Sequence, residues 1–178
     1  MCGARPQISL WRDKLPGGAG VERKNLRLND YDYRQVGMYF VTVCTRDRVH
    51  LFWDTHPVGA TCGRPTLSAL GKIVDGEIQH MSTVYPNVRV EKYAVMPNHI
   101  HLLICISDGN GDGRPQVAPT LSRIVQQFKG VTTKRCGRPL WQKSFYDHII
   151  RDEYDFTTRW NYIDTNPARW REDEYFGG

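Results

Sequence analysis

The stretch Val95-Met96-Pro97-Asn98-His99-Ile100-His101-Leu102-Leu103-Ile104 constrains this chain more than any other. Its apolar run reads as a buried strand, and two histidines one residue apart open it. Side chains alternate along a strand, so His99 and His101 point the same way while Ile100 points oppositely, and two imidazoles can converge on one ion. A lone His-x-His has a plainer explanation as two satisfied core histidines, or two histidines at a sheet rim. On this stretch alone both readings stand.

The 178 residues are expected to form one domain, large enough to bury a core, over residues 30–178. Residues 1–29 are polar, rich in Gly and Arg, and read as a basic N-terminal arm. Lys and Arg number 24 against 19 Asp and Glu, a net charge of +5, which permits nucleic acid as a partner without requiring it. The five cysteines form no Cys-x-x-Cys pair, so neither a disulfide framework nor a zinc ribbon is indicated. No window approaches the ~20 apolar residues of a membrane span, and no export signal is evident. A soluble cytoplasmic protein without a membrane partner is expected.

Met38–Thr45, β-branched and aromatic, reads as the first core strand. Leu67, Leu70, Ile73, Val74 and Ile78 recur at helical spacing behind a Thr or Ser cap, in a helix that carries Gly71 and Gly76. Val88–Val95 is a second strand, joined by the turn Met96-Pro97-Asn98 to His99–Ile106 as an antiparallel hairpin. Leu121–Lys129 is a second amphipathic helix, Trp141–Ile150 a fourth strand, and a last helix runs from about Glu153 to Asn166, stopped by Pro167. The order strand, helix, strand, strand, helix, strand predicts an α+β, ferredoxin-like βαββαβ antiparallel sheet with an added C-terminal helix. Right-handed crossovers put the first two helices on one face, leaving the other for the histidines, the last helix and a ligand.

In Trp160-Asn161-Tyr162-Ile163-Asp164-Thr165-Asn166-Pro167, Tyr162 and Asn166 lie one helical turn apart on one face. A hydroxyl and an amide oxygen can then approach one ion together. Taken singly, Tyr162 is an ordinary packing residue and Asn166 an ordinary helix-terminal one, with Tyr146 and Tyr154 as rival tyrosines.

These residues together carry a resemblance. The chain resembles the single-tyrosine HUH transposases, in their REP-associated tyrosine transposase branch. The resemblance rests on Arg27-Leu28 to Tyr33, Tyr39–Thr45, Tyr93–Leu103, Gln127-Phe128-Lys129-Gly130 and Leu140-Trp141-Gln142 through Trp170, and covers about Arg23 to Trp170. It implies His99 and His101 as metal ligands, Asn166 as the third, helix-borne ligand, and Tyr162 as the catalytic tyrosine of the last helix. The implied cofactor is Mg²⁺ or Mn²⁺, which would polarise a scissile phosphate. The implied reaction nicks and rejoins single-stranded DNA near hairpins through a 5′-phosphotyrosine intermediate, by a monomer or homodimer. Arg23, Lys24, Arg27, Arg123, Lys129 and Arg151 are the candidate DNA contacts. Two other functions fit parts of the chain: an inert ferredoxin-like nucleic-acid-binding protein, and a metal-dependent hydrolase, against which the lack of further acidic clusters counts.

Overall fold

The computed structural model of the chain describes residues 36–54, 66–107 and 119–176. The β-branched and aromatic run forms β1 (Gly37–Cys44), which pairs on one side with β3 (His99–Ile106) and on the other with β4 (Tyr146–Ile150). Strand β2 (Val88–Val95) flanks β3, giving a four-stranded antiparallel sheet of order β2-β3-β1-β4. Helices α1 (Ala69–Val84), α2 (Leu121–Cys136) and α3 (Glu153–Thr165) complete the expected βαββαβ arrangement with its added C-terminal helix.

Alternation along the two central strands divides their side chains between two cores. Tyr39, Val41 and Val43 of β1 join Ile100, Leu102 and Ile104 of β3 beneath α1 and α2. Met38, Phe40, Leu103 and Cys105 face the other way and pack against Phe156 and Ile163 of α3. The histidines share the parity of this second set, so they lie on the α3 face.

Each helix begins at a side-chain cap. Ser68 Oγ accepts from the Gly71 amide, Thr120 Oγ1 from the Arg123 amide and Asp152 Oδ1 from the Asp155 amide, satisfying otherwise unpaired donors. Gly137, with φ 66°, ends α2 in the left-handed conformation. A Cβ on Gly71 would stand 2.2 Å from the Phe52 carbonyl oxygen, whereas one on Gly76 would meet nothing within 4 Å. Only the first glycine is required by packing.

One expected boundary moves. The fourth strand begins at Tyr146 rather than Trp141, which makes only an isolated bridge to Thr45. The segment between them bends around the Lys129 ammonium, which donates to the carbonyls of Gln142, Lys143 and Ser144 at 2.7, 3.2 and 3.0 Å. The last α-helix ends as expected, at Thr165 with Asn166 as its C-cap, immediately before Pro167. A 3₁₀ stretch, Asn166–Glu172, follows α3 directly, with the proline in its first turn, where a missing N–H costs no intrahelical bond. That extra length returns residues 173–175 to the histidines. No helix among the described residues is long and apolar enough to cross a membrane. The basic arm, with Arg23, Lys24 and Arg27, lies outside the described residues.

Candidate active site

Strand register assembles the floor of the site. Ala94, His101, Thr42 and Tyr146 stand directly opposite one another across all four strands, and Cys44 stands opposite His99. The neighbouring row on this face is Lys92, Leu103, Phe40 and His148. Both site histidines are buried, and their Nε2 atoms face each other at 2.9 Å.

The bonds at the far ring nitrogens identify the tautomers. Asn98 Nδ2 donates to the carbonyls of Arg48 and Tyr175, at 3.2 and 2.9 Å. Its Oδ1 is thereby left to accept from His99 Nδ1 at 2.8 Å, so His99 carries its proton on Nδ1 and has a lone pair on Nε2. His101 Nδ1 lies 2.9 Å from Thr42 Oγ1, a hydroxyl that either donates or accepts. Burial lowers the pKa of His99 to about 4, against the opposing pull of Asp173. Burial likewise holds His101 well below the usual histidine value, reinforced by His99 and Arg159. Both imidazoles are therefore neutral at pH 7, the state in which they ligate metals.

The 3₁₀ stretch brings Asp173 to this pair, and ligand atoms of His99, His101 and Asp173 all lie within 4.8 Å of one another. Asn166 is buried in the wall of the same cleft, and its Nδ2 has no hydrogen-bond partner. Two neutral imidazoles and the Asp173 carboxylate form a mixed nitrogen and oxygen donor set, which fits a divalent cation such as Mg²⁺ or Mn²⁺, and the Asn166 amide oxygen is a further hard donor in the same cleft.

Tyr162 stands against this set. Its ring meets that of His101 edge-on, with centroids 5.1 Å apart, and its hydroxyl donates to Asp173 Oδ2 at 3.4 Å. Phe40 packs against both, stacked on His101 and edge-on to Tyr162. Burial first, then the carboxylates of Asp173 and Glu174, push the Tyr162 pKa well up, while the neighbouring Asn166 amide acts the other way. The phenol is thus protonated without a cation beside it. An open cleft of about 650 Å³ gives access to His101, Tyr162, Asn166 and Asp173.

Comparison with known proteins places the chain as a whole. An uncharacterised protein of Haemophilus influenzae is 30% identical over 177 residues, covering 89% of this chain and 96% of its own length. A second Haemophilus influenzae protein, provisionally named a REP-associated tyrosine transposase, is 23% identical over 145 residues, 78% of this chain and 74% of that one. The REP-associated tyrosine transposase of Escherichia coli K12 is 27% identical over 81 residues, 45% of this chain and 44% of its own. The chain belongs to the REP-associated tyrosine transposase family. A solved REP-associated tyrosine transposase bound to a REP hairpin has the same fold, with a TM-score of 0.56 and 22% identity over 80% of this chain and 74% of that one. No family model matches.

Within this family member, the structure brings His101, Tyr162 and Asn166 to one cleft, with the buried His99 facing His101. Of the rival tyrosines, Tyr146 also lines the cleft, whereas Tyr154 is 83% exposed on the first turn of α3. The expected cationic contacts do not gather there. Arg123 is exposed on α2, across the sheet from the histidines. Arg151 is exposed between β4 and α3, about three helical turns before Tyr162. Lys129 turns its ammonium to the β4 approach, with all three of its N–H donors taken by backbone carbonyls.

Sequence reasoning missed Asp173, Tyr175 and Arg159. Asp173 supplies the acidic group whose absence counted against a hydrolase, and Tyr175 packs its ring 4.6 Å from that of His99. Neither had a signal once Pro167 was read as the end of the helical chain. Arg159 did have one, because Asp155, Arg159, Tyr162 and Asn166 recur at helical spacing.

Proposed function

We propose that the chain is a metal-dependent DNA strand transferase that nicks and rejoins single-stranded DNA beside hairpins. The observation that carries this reading is that Tyr162 packs edge-on against His101 and donates to Asp173, the carboxylate grouped with the facing Nε2 atoms of His99 and His101, beside an open cleft. His99 and His101, with Asn166 and Asp173, would hold Mg²⁺ or Mn²⁺, which supplies Lewis-acid polarisation of the phosphate. Tyr162 Oη attacks phosphorus, the bond from phosphorus to the 3′-oxygen breaks, and the phenolic proton ends on that oxygen, directly or through water. The products are a 5′-phosphotyrosine and a free 3′-hydroxyl, which can reverse the step at another end. No bond energy is lost to hydrolysis.

Thr42 and Asn98 orient the imidazoles, Phe40 supports the rings of His101 and Tyr162, and α3 excludes water from beneath the nucleophile. The edge-on packing of Tyr162 against His101 of its own chain supports attack in cis. The basic arm with Arg23, Lys24 and Arg27, together with Arg123 and Arg151, adds phosphate contacts away from the chemistry. The protein works in the cytoplasm, on DNA.

The test is a denaturing gel. With Mn²⁺ and a panel of hairpin-bearing single-stranded oligonucleotides, the wild-type protein is expected to form a denaturation-resistant adduct that Tyr162→Phe abolishes and Tyr146→Phe, Tyr154→Phe and Tyr175→Phe retain. An adduct that survives Tyr162→Phe and is lost in one of the others would move the nucleophile. Cleavage to free 5′-phosphate ends without an adduct would make the protein a hydrolase, and binding without cleavage an inert nucleic-acid binder.

A further inference from the structure

Arg159 is the cation of the α3 stripe that also carries Tyr162 and Asn166, and it lines their cleft. Its guanidinium carbon lies 5.1 Å from the centroid of Phe40, the ring that stacks on His101 and meets Tyr162 edge-on. Cation, imidazole and phenol therefore share one aromatic floor. Arg159 Nε is buried and makes no hydrogen bond, with Asp155 Oδ1 at 3.5 Å. That carboxylate is already engaged: its Oδ2 lies 2.7 Å from His148 Nε2 and 3.4 Å from the Arg151 amide. His148 stands opposite Phe40 in the sheet, so β4 anchors Asp155 and Asp155 in turn restrains Arg159.

An arginine kept for folding alone is expected to spend its planar fork on a carboxylate or on carbonyls. This one meets a shared carboxylate side-on, in a cleft also lined by Glu172, Asp173 and Glu174, where the other arginine, Arg169, is paired with Glu172. A phosphodiester entering between such carboxylates needs positive charge beside it. The histidines can hold a cation, and Arg159 lines the same cleft over Phe40.

We propose that Arg159 is the phosphate-binding residue of the cleft, donating hydrogen bonds to the non-bridging oxygens of the phosphodiester that Tyr162 attacks, with Asp155 and His148 as positioning residues. The assignment rests on the strand-transfer reading above for the identity of that phosphodiester. Fixed donors aimed at phosphoryl oxygens stabilise the charge that builds up as phosphorus is attacked, and removing one such donor commonly costs about 10²–10³ in rate.

Two measurements test it. In single-turnover adduct formation with Mn²⁺, Arg159→Gln is expected to slow the rate about 100-fold. Arg159→Lys, which keeps the charge and the stem over Phe40 but loses the fork, should slow it by less, on the order of tenfold. Mn²⁺ affinity should stay within about twofold of wild type in both variants, which a general loss of structure would not allow. Separately, ³¹P resonances of inorganic phosphate titrated with metal-free protein should broaden with wild type and with Arg159→Lys but not with Arg159→Gln, a readout that needs no cleavage. Unchanged adduct rates in the variants, or phosphate binding equal in wild type and Arg159→Gln, would overturn the assignment. If Arg159→Gln does not fold, an unchanged rate in Arg159→Lys overturns it alone. Absence of any adduct with wild type, alongside Arg159-dependent phosphate binding, would instead sink strand transfer and leave the phosphate site standing.

Discussion

Replacing Thr42 with Val tests the polar arrangement beneath the histidines. With Asn98 holding the His99 proton on Nδ1, the proton between the two Nε2 atoms, 2.9 Å apart, belongs to His101. His101 Nδ1 then accepts from the Thr42 hydroxyl at 2.9 Å. A cation taking both Nε2 lone pairs requires His101 to carry its proton on Nδ1 instead, and the hydroxyl must turn from donor to acceptor. Valine is close in shape but can do neither. A buried Nδ1–H without an acceptor costs about 1–3 kcal/mol, partly offset because the metal-free variant also loses a neutral hydrogen bond worth about 1 kcal/mol. The net cost to metal binding is therefore on the order of 1 kcal/mol and at most about 2, a weakening of roughly fivefold and at most about thirtyfold at 1.4 kcal/mol per tenfold. Isothermal titration with Mn²⁺ reads it directly, and Thr42→Ser, which keeps the hydroxyl, should stay near wild type. If Thr42→Val binds Mn²⁺ as tightly as wild type, the hydroxyl does not control the His101 tautomer.

Stability should respond to acid through the same pair. Folded-state pKa values below the unfolded 6.5 mean that the unfolded chain binds more protons, so stability falls as the pH drops below about 6.5, and the His99 contribution levels off below about 4. Urea denaturation of metal-free protein between pH 8 and 4 should therefore show a steeper loss for wild type than for the His99→Gln, His101→Gln double variant; equal slopes would mean the imidazoles are not held neutral by burial. Gly76→Ala, with open space around its Cβ, should stabilise α1 by about 0.5–1 kcal/mol, raising Tm by about 1–4 °C for a domain of this size. Gly71→Ala should lower Tm, because its Cβ would stand 2.2 Å from the Phe52 carbonyl oxygen; a rise in its melting curve would show that this approach is not rigid.

Most of the sheet was legible because its signals are local. Alternation, β-branching and turn residues marked β1 to β3 and the hairpin that presents His99 and His101, and the 3.6-residue period marked the helices. The start of β4 was not legible: Trp141 and Phe145 alternate like strand residues, but a lysine from α2 holds the intervening carbonyls. Local pattern carries no record of such a partner. The same holds for Asp173, an ordinary acidic residue near the end of the chain until the 3₁₀ stretch returns it to the histidines. Arg159 was readable in principle from its spacing to Tyr162, yet without Phe40 beneath it nothing distinguishes it from an exposed helix arginine. Thr42 gave no sign at all, because only strand register makes it the neighbour of His101.

The bond from Asn98 to the Tyr175 carbonyl closes a loop of 77 residues, and that from Thr42 to His101 one of 59. Closures of that length carry an entropic cost that neighbouring contacts must offset before either bond can persist, and non-local pairings of this kind slow folding. The hairpin and α1 can form early from local contacts. The chamber around the histidines cannot, since its walls come from β1, from β3 and from the segment beyond α3. A chain emerging in order from its N-terminus would complete the sheet with β4 and only afterwards bring Tyr162, Asp173 and Tyr175 over it. Its chemistry would be switched on by the last step of folding, so a partly synthesised copy could hold the two histidines but not the nucleophile.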